Sequence, residues 1–358
     1  MLHRRVFVGA FALVLAILGT WAGAHFIRPL PEARWTSADL PALPPDAENV
    51  FGLLGASTRT PDLDALVVDE YAEVARVLRE GRAREPELVD ALAPSTELRA
   101  AIRQRPRYVE SSGMLGRSRV MEGIATWKTR ALAVLLALVE EESVLAGEEV
   151  ASMWTQAVDY SNHCQSMVSC MAGQRLLHIT LGAAELLAHA APREASWVAR
   201  LLESSTEDRT AITHGIIAEY VYGRMALETH DAPLFDRAQT DRMLANHFES
   251  AIAFALDPTQ PRPRPRFREH PLWWTYNPTG KTFASGFTIQ HFADAIERYG
   301  READAITTRR DALLESIRAS NGSAGSATDG AAVQLAGEDA GAMATLHAPQ
   351  PLGGSERQ

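Results

Sequence analysis

The chain is poor in lysine: of its 35 basic residues only Lys128 and Lys281 are lysines, and arginine supplies the rest. The formal net charge is -10 over 358 residues. A protein that binds nucleic acid is expected to carry a basic face, so this balance argues against a nucleic-acid partner. The shortage of lysine, together with abundant alanine, is typical of a coding bias and does not indicate a binding device.

Two further absences remove the nucleotide and cofactor chemistry that residues 277–282, NPTGKT, bring to mind. A phosphate-binding loop needs a glycine five positions before Gly280, where this chain has Thr275, and Pro278 lacks one of the backbone amides that would hold phosphate. Pyridoxal-phosphate aminotransferases, in which NPTG also occurs, need a downstream lysine for the Schiff base, and no lysine follows Lys281. We therefore predict neither a nucleotide nor a cofactor.

The same stretch is predicted to be a structural turn ahead of a helix near Ser285. Pro278 presets φ and Gly280 accepts a positive φ, while Trp273 and Trp274 are expected to bury large apolar areas against the helices. The alternative is a groove at this turn in which Lys281 meets an anionic group.

Strand-like alternation of apolar and polar residues is also missing, and a period near 3.6 residues replaces it throughout 61–318. The pattern predicts an all-α fold, a single antiparallel multi-helix domain over 61–318. One helix is expected from Pro61 to Gly81, short helices near 86–92 and 95–104, and one long helix from about Tyr160 to Ala190. The aliphatic run from Ala131 to Val139 predicts a helix buried on most sides.

The N-terminal segment 1–28 predicts export. Arg4 and Arg5 precede an uncharged run from Val6 to Ala24, which as a helix is roughly 28 Å long and matches the hydrocarbon core of a bilayer. We favour an uncleaved anchor from Val6 to Ile27 in the inner (cytoplasmic) membrane, a single pass with the domain outside the cytoplasm. The alternative is a signal peptide cleaved after Ala24, giving a periplasmic or secreted protein.

Composition divides the rest of the chain into two further segments. Residues 29–60 carry five prolines before position 46, which disfavour helix and predict an extended stem that holds the domain away from the bilayer. Residues 319–358 contain too little apolar bulk for a core and are predicted to be a disordered tail.

Cysteine is nearly absent, with Cys164 and Cys170 alone. If both lie on one continuous helix, six helical steps separate their Cα atoms by about 9 Å, too far for a disulfide. We predict two unbonded thiols. The alternative disulfide, which an extracytoplasmic compartment would permit, requires a helix that starts near Ser166.

Metal-binding spacings such as HExxH do not occur among the histidines, so no metal site is predicted. The weak catalytic candidates are His214, Glu219 and Arg175. Glu219 lies in an apolar helix, where a charged group needs a partner, and Arg175 is preferred over Arg224 for that role. Together these three residues could line a polar pocket.

The stretch LPALPPDAENVFGLLGAS, in which Asn49 precedes a short apolar run, and the turn before the C-terminal helices resemble those of uncharacterised single-span bacterial envelope proteins with an all-helical extracytoplasmic domain. The resemblance implies a membrane-anchored envelope protein whose helical domain binds or scaffolds an envelope protein partner, and it implies no known activity. The alternative from another class is an envelope hydrolase that uses the pocket of His214, Glu219 and Arg175.

Overall fold

The computed structural model describes the parts of the chain on which the following sections rest: residues 11–16, 19, 30–54, 61–109, 117–204, 209–229, 235–263, 277–287 and 292–335. These residues form an all-α structure, and within them the sole β feature is an isolated bridge between Asn49 and Arg107. The predicted fold class is therefore confirmed at the level of all-α.

Eleven α-helices are numbered here in chain order within the described ranges: α1 Val74–Ala83, α2 Glu85–Leu92, α3 Thr96–Arg103, α4 Arg117–Val139, α5 Ser143–Asn162, α6 Met167–Ala190, α7 Pro192–Ser204, α8 Ile212–Thr229, α9 Arg237–Leu256, α10 Pro278–Phe287 and α11 Phe292–Leu335. Short 3-10 turns connect several of them. The helices predicted near 86–92 and 95–104 correspond to α2 and α3.

Helix α6 lies at the centre of the structure, where α1, α4, α5, α7, α8 and α11 all pack against it. Its sequence explains the position, since aliphatic residues, small residues and threonine cover every side of the helix and few charges interrupt them. Close contact depends on glycine at one point: a Cβ at Gly182 would lie 2.2 Å from the carbonyl oxygen of Val68. The backbone of residue 68 therefore rests directly on α6.

Buried apolar side chains form two clusters. The larger one surrounds α4, α5 and α6 and includes Trp127 and Trp154. It also contains the aliphatic run predicted to be buried, of which Leu132, Val134 and Leu135 have no exposed surface. The smaller cluster joins the start of α6 to α8, α9 and the first turns of α11.

The long helix predicted from Tyr160 to Ala190 is interrupted, and the prediction of unbonded cysteines is wrong. Helix α5 ends at Asn162 and α6 begins at Met167, with Cys164 and Cys170 joined by a disulfide across a Cα separation of 5.0 Å.

A capping box explains the interruption. The Ser166 side chain accepts a hydrogen bond from the backbone N–H of Ser169, and the Ser169 side chain accepts one from the N–H of Ser166. These hydrogen bonds satisfy backbone donors at the start of α6 and favour a new helix over a continuous one. The turn brings Cys164 back toward Cys170. A helix start near Ser166 is the condition that the alternative disulfide required.

The helix predicted from Pro61 to Gly81 is also divided. A 3-10 segment covers Pro61–Leu66, and α1 begins only at Val74. Between them Val67 and Val68 are buried, and the Val68 carbonyl lies against α6 where a helical turn would not fit. The apolar spacing correctly predicts a buried face, but part of that face consists of non-helical residues between the two segments.

Residues 30–54 differ from the predicted free stem, because they lie along the surface of the helical domain. Asn49 is 1% exposed, donates to the carbonyl of Val109 at 2.8 Å and accepts from the Val109 N–H at 3.0 Å. Val50 and Phe51 are fully buried in the larger cluster. The prolines prevent helix formation, and the carbonyls that they leave without helical partners accept hydrogen bonds from the domain.

At both chain termini, the sequence-based predictions concern residues that the structure describes only in part. Residues 11–16 are helical, but most of the predicted anchor Val6–Ile27 lies outside the described residues. Within the described part of the chain, no helix combines the length and apolar character needed to cross a bilayer. Helix α11 extends to Leu335, past the predicted domain end at 318, and 336–358 of the predicted tail lie outside the described residues.

Candidate functional site

The predicted catalytic trio is divided between two structural roles. Glu219, on α8, accepts a hydrogen bond from the backbone N–H of Met167 at 3.4 Å. A carboxylate at this point is favoured by the partial positive charge of a helix N-terminus. His214 precedes Glu219 by five residues on the same helix, a step that points the two side chains about 140° apart, so Glu219 alone is shown in the packing of α8 on the start of α6.

Arg175 does not pair with Glu219, contrary to the prediction. Its guanidinium donates to Asp69 at 2.9 Å, and the pair is exposed, with 38% and 55% of the side chains accessible. Arg224, the other sequence candidate, donates to Asp241 at 2.7 Å. The sequence predicts an arginine as the partner of Glu219, whereas the structure shows a backbone N–H group that donates to its carboxylate.

The turn at NPTG is a buried helix cap. Asn277 has a positive φ of 48° and no exposed surface. Its side-chain oxygen accepts from the N–H groups of Asp236 and Gly280, at 2.9 and 3.1 Å, while its amide donates to the Asp236 carbonyl and the Thr240 hydroxyl, at 3.1 and 3.0 Å. The stretch therefore has a structural role, but the predicted turn through Gly280 is wrong, because Pro278 to Gly280 already form the first turn of α10 and the positive φ lies at Asn277.

Lys281 lies on the first turn of α10, half-buried, and burial lowers the pKa of its ammonium group. Trp273 and Trp274, which were predicted to fix this segment to the core, lie outside the described residues. Because residues 264–276 lie outside the described residues, the alternative groove in which Lys281 meets an anionic group stays a prediction.

A second polar cluster joins α6 to α11. Arg309 donates to both carboxylate oxygens of Glu185, at 2.7 and 2.6 Å, and contacts the Nε2 atom of His178 at 3.0 Å. Burial, followed by the charges of Arg309 and Arg175, lowers the pKa of His178. A neutral imidazole can accept from the guanidinium, so the cluster fixes α11 in place without an internal conflict of charge.

The third polar cluster surrounds Arg130, which has no exposed side-chain surface. Its guanidinium donates to Glu149, Gln156 and Ser152, all on α5, at 2.5, 2.6 and 2.9 Å. Trp127 lies beneath the guanidinium at 4.9 Å from the ring centroid. Each of the three guanidinium nitrogens donates to a protein side chain, which indicates a structural rather than a ligand-binding role.

A large open cavity lies elsewhere, at the far end of α6. A cleft of about 770 Å³ opens between α1, the α4–α5 corner and the junction of α6 and α7. Its floor is apolar, with Leu78 and Leu138, and such a volume falls in the range of ligand pockets. The lining residues are Ala75, Leu78, Arg79, Arg82, Leu138, Glu141, Ser143, His189, Ala190, Ala191 and Glu194.

The charges around this cleft are arranged by sign. Arg79 and Arg82 stand one turn apart on α1, exposed, and neither forms an ion pair with a described carboxylate. Glu141, at the α4–α5 corner with φ 64°, and Glu194, on the first turn of α7, supply negative charge. The mouth of the cleft therefore offers both signs beside an apolar floor.

Sequence reasoning missed this cleft, and the reason is spatial. Its lining comes from five helices and the α4–α5 corner, and each contribution looks like an ordinary solvated helix end. The only local signal was the pair Arg79 and Arg82 at the i, i+3 spacing on a polar face. Within the described residues, no group of three or more histidine, cysteine, aspartate or glutamate side chains is placed to hold a metal ion.

Comparison with known proteins gives no family: no protein-family model, no curated protein and no solved structure matches the chain. The resemblance to single-span envelope proteins therefore stays a prediction from sequence. What the fold and the cavity define is an all-α domain with a mixed-charge cleft between α1 and the α6–α7 junction.

Proposed function

We propose that the protein is a membrane-anchored, extracytoplasmic interaction module, and that the cleft between α1 and the α6–α7 junction binds a segment of an envelope protein partner. The observation that carries the proposal is the cleft itself, about 770 Å³ with an apolar floor and an open, charged mouth. Its volume falls in the range of the ligand sites of proteins.

The chemistry of the lining selects a polypeptide as the ligand class. Arg79 and Arg82 would pair with acidic side chains or a carboxyl terminus, while Glu141 and Glu194 would pair with basic ones. Leu78 and Leu138 give apolar side chains a place between the two charged walls. A peptide segment with apolar residues and charges of both signs matches all three features.

The disulfide supports a location outside the cytoplasm. Cys164 and Cys170 are bonded to each other, and disulfides persist in oxidising compartments and are rare in the cytosol of most organisms. Arg4 and Arg5 before the apolar run Val6–Ile27 point the same way. An anchored domain outside the cytoplasm would meet other envelope proteins there.

The alternative hydrolase receives no comparable support. Arg175 is paired with Asp69 and Glu219 with the Met167 N–H, and none of the three candidates lines the cleft. We therefore do not propose a reaction for this protein.

Photo-crosslinking in intact cells tests the proposed site. A photoreactive amino acid at Ala75, exposed and on the cleft lining, should give one adduct of defined mass with a protein. The same group at Val89, 42% exposed on the neighbouring helix, should not. The double change Arg79→Glu with Arg82→Glu should abolish the adduct from position 75.

The matched control is Arg200→Glu, an exposed arginine on α7 that does not line the cleft, and it should leave the adduct intact. An adduct that forms equally from positions 75 and 89, or that survives reversal of both cleft arginines, would contradict the proposed binding site.

A further inference from the structure

The proline-rich segment is attached to the domain almost at its first described residues. The Pro31 carbonyl accepts from Arg224 at 2.6 Å, and the backbone N–H of Arg34 donates to the Tyr220 hydroxyl at 3.3 Å. Trp35 then packs edge-on against the Tyr220 ring, with centroids 5.2 Å apart. The chain is thus held on α8 from position 31 onward.

The attachment at Pro31 is firm because Arg224 is itself fixed. Arg224 is 11% exposed and forms an ion pair with Asp241, which is 3% exposed, at 2.7 Å. The Tyr220 hydroxyl donates to the same carboxylate at 3.0 Å. By contrast, the Arg34–Glu249 pair has more than half of both side chains exposed and contributes little.

Covalent geometry then limits how far the domain can lie from an anchor that ends at Ile27. Four residue steps separate Ile27 from Pro31, which at full extension reach about 14 Å. A free stem of residues 29–60 would reach on the order of 100 Å. The proline-rich segment therefore does not act as a spacer between the domain and the bilayer, because it contacts the domain from Pro31 onward.

We propose that the corner formed by the end of α8 and the start of α9, residues 224–229 and 237–242, faces the bilayer and contacts the lipid headgroups. The proposal rests on the anchor assumed in the proposed function. Met225 on this corner is 57% exposed, and Arg242 is exposed as well. Glu228 on the same corner is 54% exposed and lies 3.6 Å from Arg224. An exposed apolar side chain and an exposed arginine at one corner suit the interface, where long basic side chains reach the headgroups.

The same geometry directs the ligand cleft away from the membrane. The corner is close to the start of α6, since Glu219 contacts Met167 and Arg224 follows five residues later. The cleft is at the other end of α6, where His189 lies roughly 33 Å from Met167 along the helix axis. A partner would therefore meet the cleft on the side that faces away from the bilayer.

Fluorescence quenching in proteoliposomes tests this orientation. Met225→Cys and Val144→Cys, the second 61% exposed at the start of α5 near the cleft, would each be labelled in the full chain under non-reducing conditions. The label is a membrane-impermeant maleimide fluorophore, because the native cysteines are bonded and only outward-facing domains should react. Phosphatidylcholine vesicles would carry nitroxide-labelled headgroups. We expect loss of most emission at position 225 and little loss at position 144.

A tether variant provides the matched control. Twenty glycine and serine residues inserted between Arg28 and Pro29 add about 25 Å of root-mean-square length and leave every docked contact intact, so quenching at position 225 should fall toward that at 144. Equal quenching at both positions, or quenching at 225 that the insertion leaves unchanged, would overturn the orientation alone. A chain that alkaline washing removes from the vesicles would overturn the anchor and the orientation together.

Discussion

The guanidinium of Arg130 and the carboxylate of Glu149 form a fully enclosed ion pair, with Nε and Oε1 2.5 Å apart and side-chain exposures of 0% and 6%. The pair joins α4 to α5 inside the larger apolar cluster. Its surroundings offset part of the loss of hydration, because Gln156 and Ser152 each accept from one of the two terminal nitrogens and Arg103 approaches Glu149 at 3.4 Å.

Removal of one member should therefore be costly. Glu149→Ala leaves a buried guanidinium without its charge partner, and we expect the free energy of unfolding to fall by about 3 kcal/mol or more. The matched control is Glu87→Ala, which breaks the Arg84–Glu87 pair, whose glutamate is 59% exposed, and should cost less than about 1 kcal/mol. Urea denaturation measures both, and similar small losses in the two variants would contradict the argument.

Periodicity predicted much of the fold because it reports which faces are buried. It placed α2, α3 and the buried aliphatic part of α4, and it excluded sheets. It could not distinguish a helical turn from an extended one where both bury the same residues, as at Val67 and Val68. Nor could it show that a short polar sequence, QSMVS, would form a reciprocal cap and end a helix.

The candidate site could be predicted from the sequence to a smaller extent than the fold. The sequence marks Glu219 as a charge that needs a partner, but one of its partners is the backbone N–H of Met167, which no pairing of side chains could identify. The cleft arises where ends of α1, α4, α5, α6 and α7 meet, so its residues are close in space and distant along the chain. Prediction of such a site requires the helix packing itself.

The disulfide gives a second prediction. Mass measurement after alkylation of the denatured chain should show no modified thiol without a reductant and two after reduction. The double change Cys164→Ser with Cys170→Ser should lower the free energy of unfolding by about 2 kcal/mol, the value expected for a loop this short. Alkylation of both thiols in the unreduced protein would show that the bond does not form.

The cap at Asn277 gives a third prediction, in which two replacements separate two effects. Asn277→Ala removes four hydrogen bonds and leaves at φ 48° an alanine, which adopts a positive φ less readily than asparagine, so we expect a loss of about 3 kcal/mol or more. Asn277→Gly removes the same hydrogen bonds but tolerates the backbone angle and should cost about 1 kcal/mol less. Thermal unfolding of both variants measures the difference, and a glycine variant as unstable as the alanine variant would exclude backbone strain at this position.

The last prediction concerns acid sensitivity through His247. This side chain is 5% exposed, against the rings of Phe248 and Phe292, and burial lowers its pKa from 6.5 to about 4.

The sign of the effect follows from the direction of that shift. Because the unfolded chain takes up the His247 proton near pH 6.5 and the folded chain only near pH 4, the contribution to stability is complete above pH 6.5. It is lost as the pH falls between those values, by up to about 3 kcal/mol. The lowered pKa of His178 acts in the same direction.

His163 acts in the opposite direction. Its hydrogen bond with Asp159 raises its pKa, so its contribution is complete below pH 6.5 and decreases only at higher pH. The loss of stability between pH 6.5 and 4 should therefore be governed by the buried histidines.

His247→Phe keeps the ring volume, removes the titrating group, and should flatten the decline in the free energy of unfolding between pH 6.5 and 4.5. The control His189→Gln, at an exposed position, should retain the decline of the unaltered chain. Equal slopes for His247→Phe and the unaltered chain, measured by urea denaturation at each pH, would show that His247 does not cause the acid sensitivity.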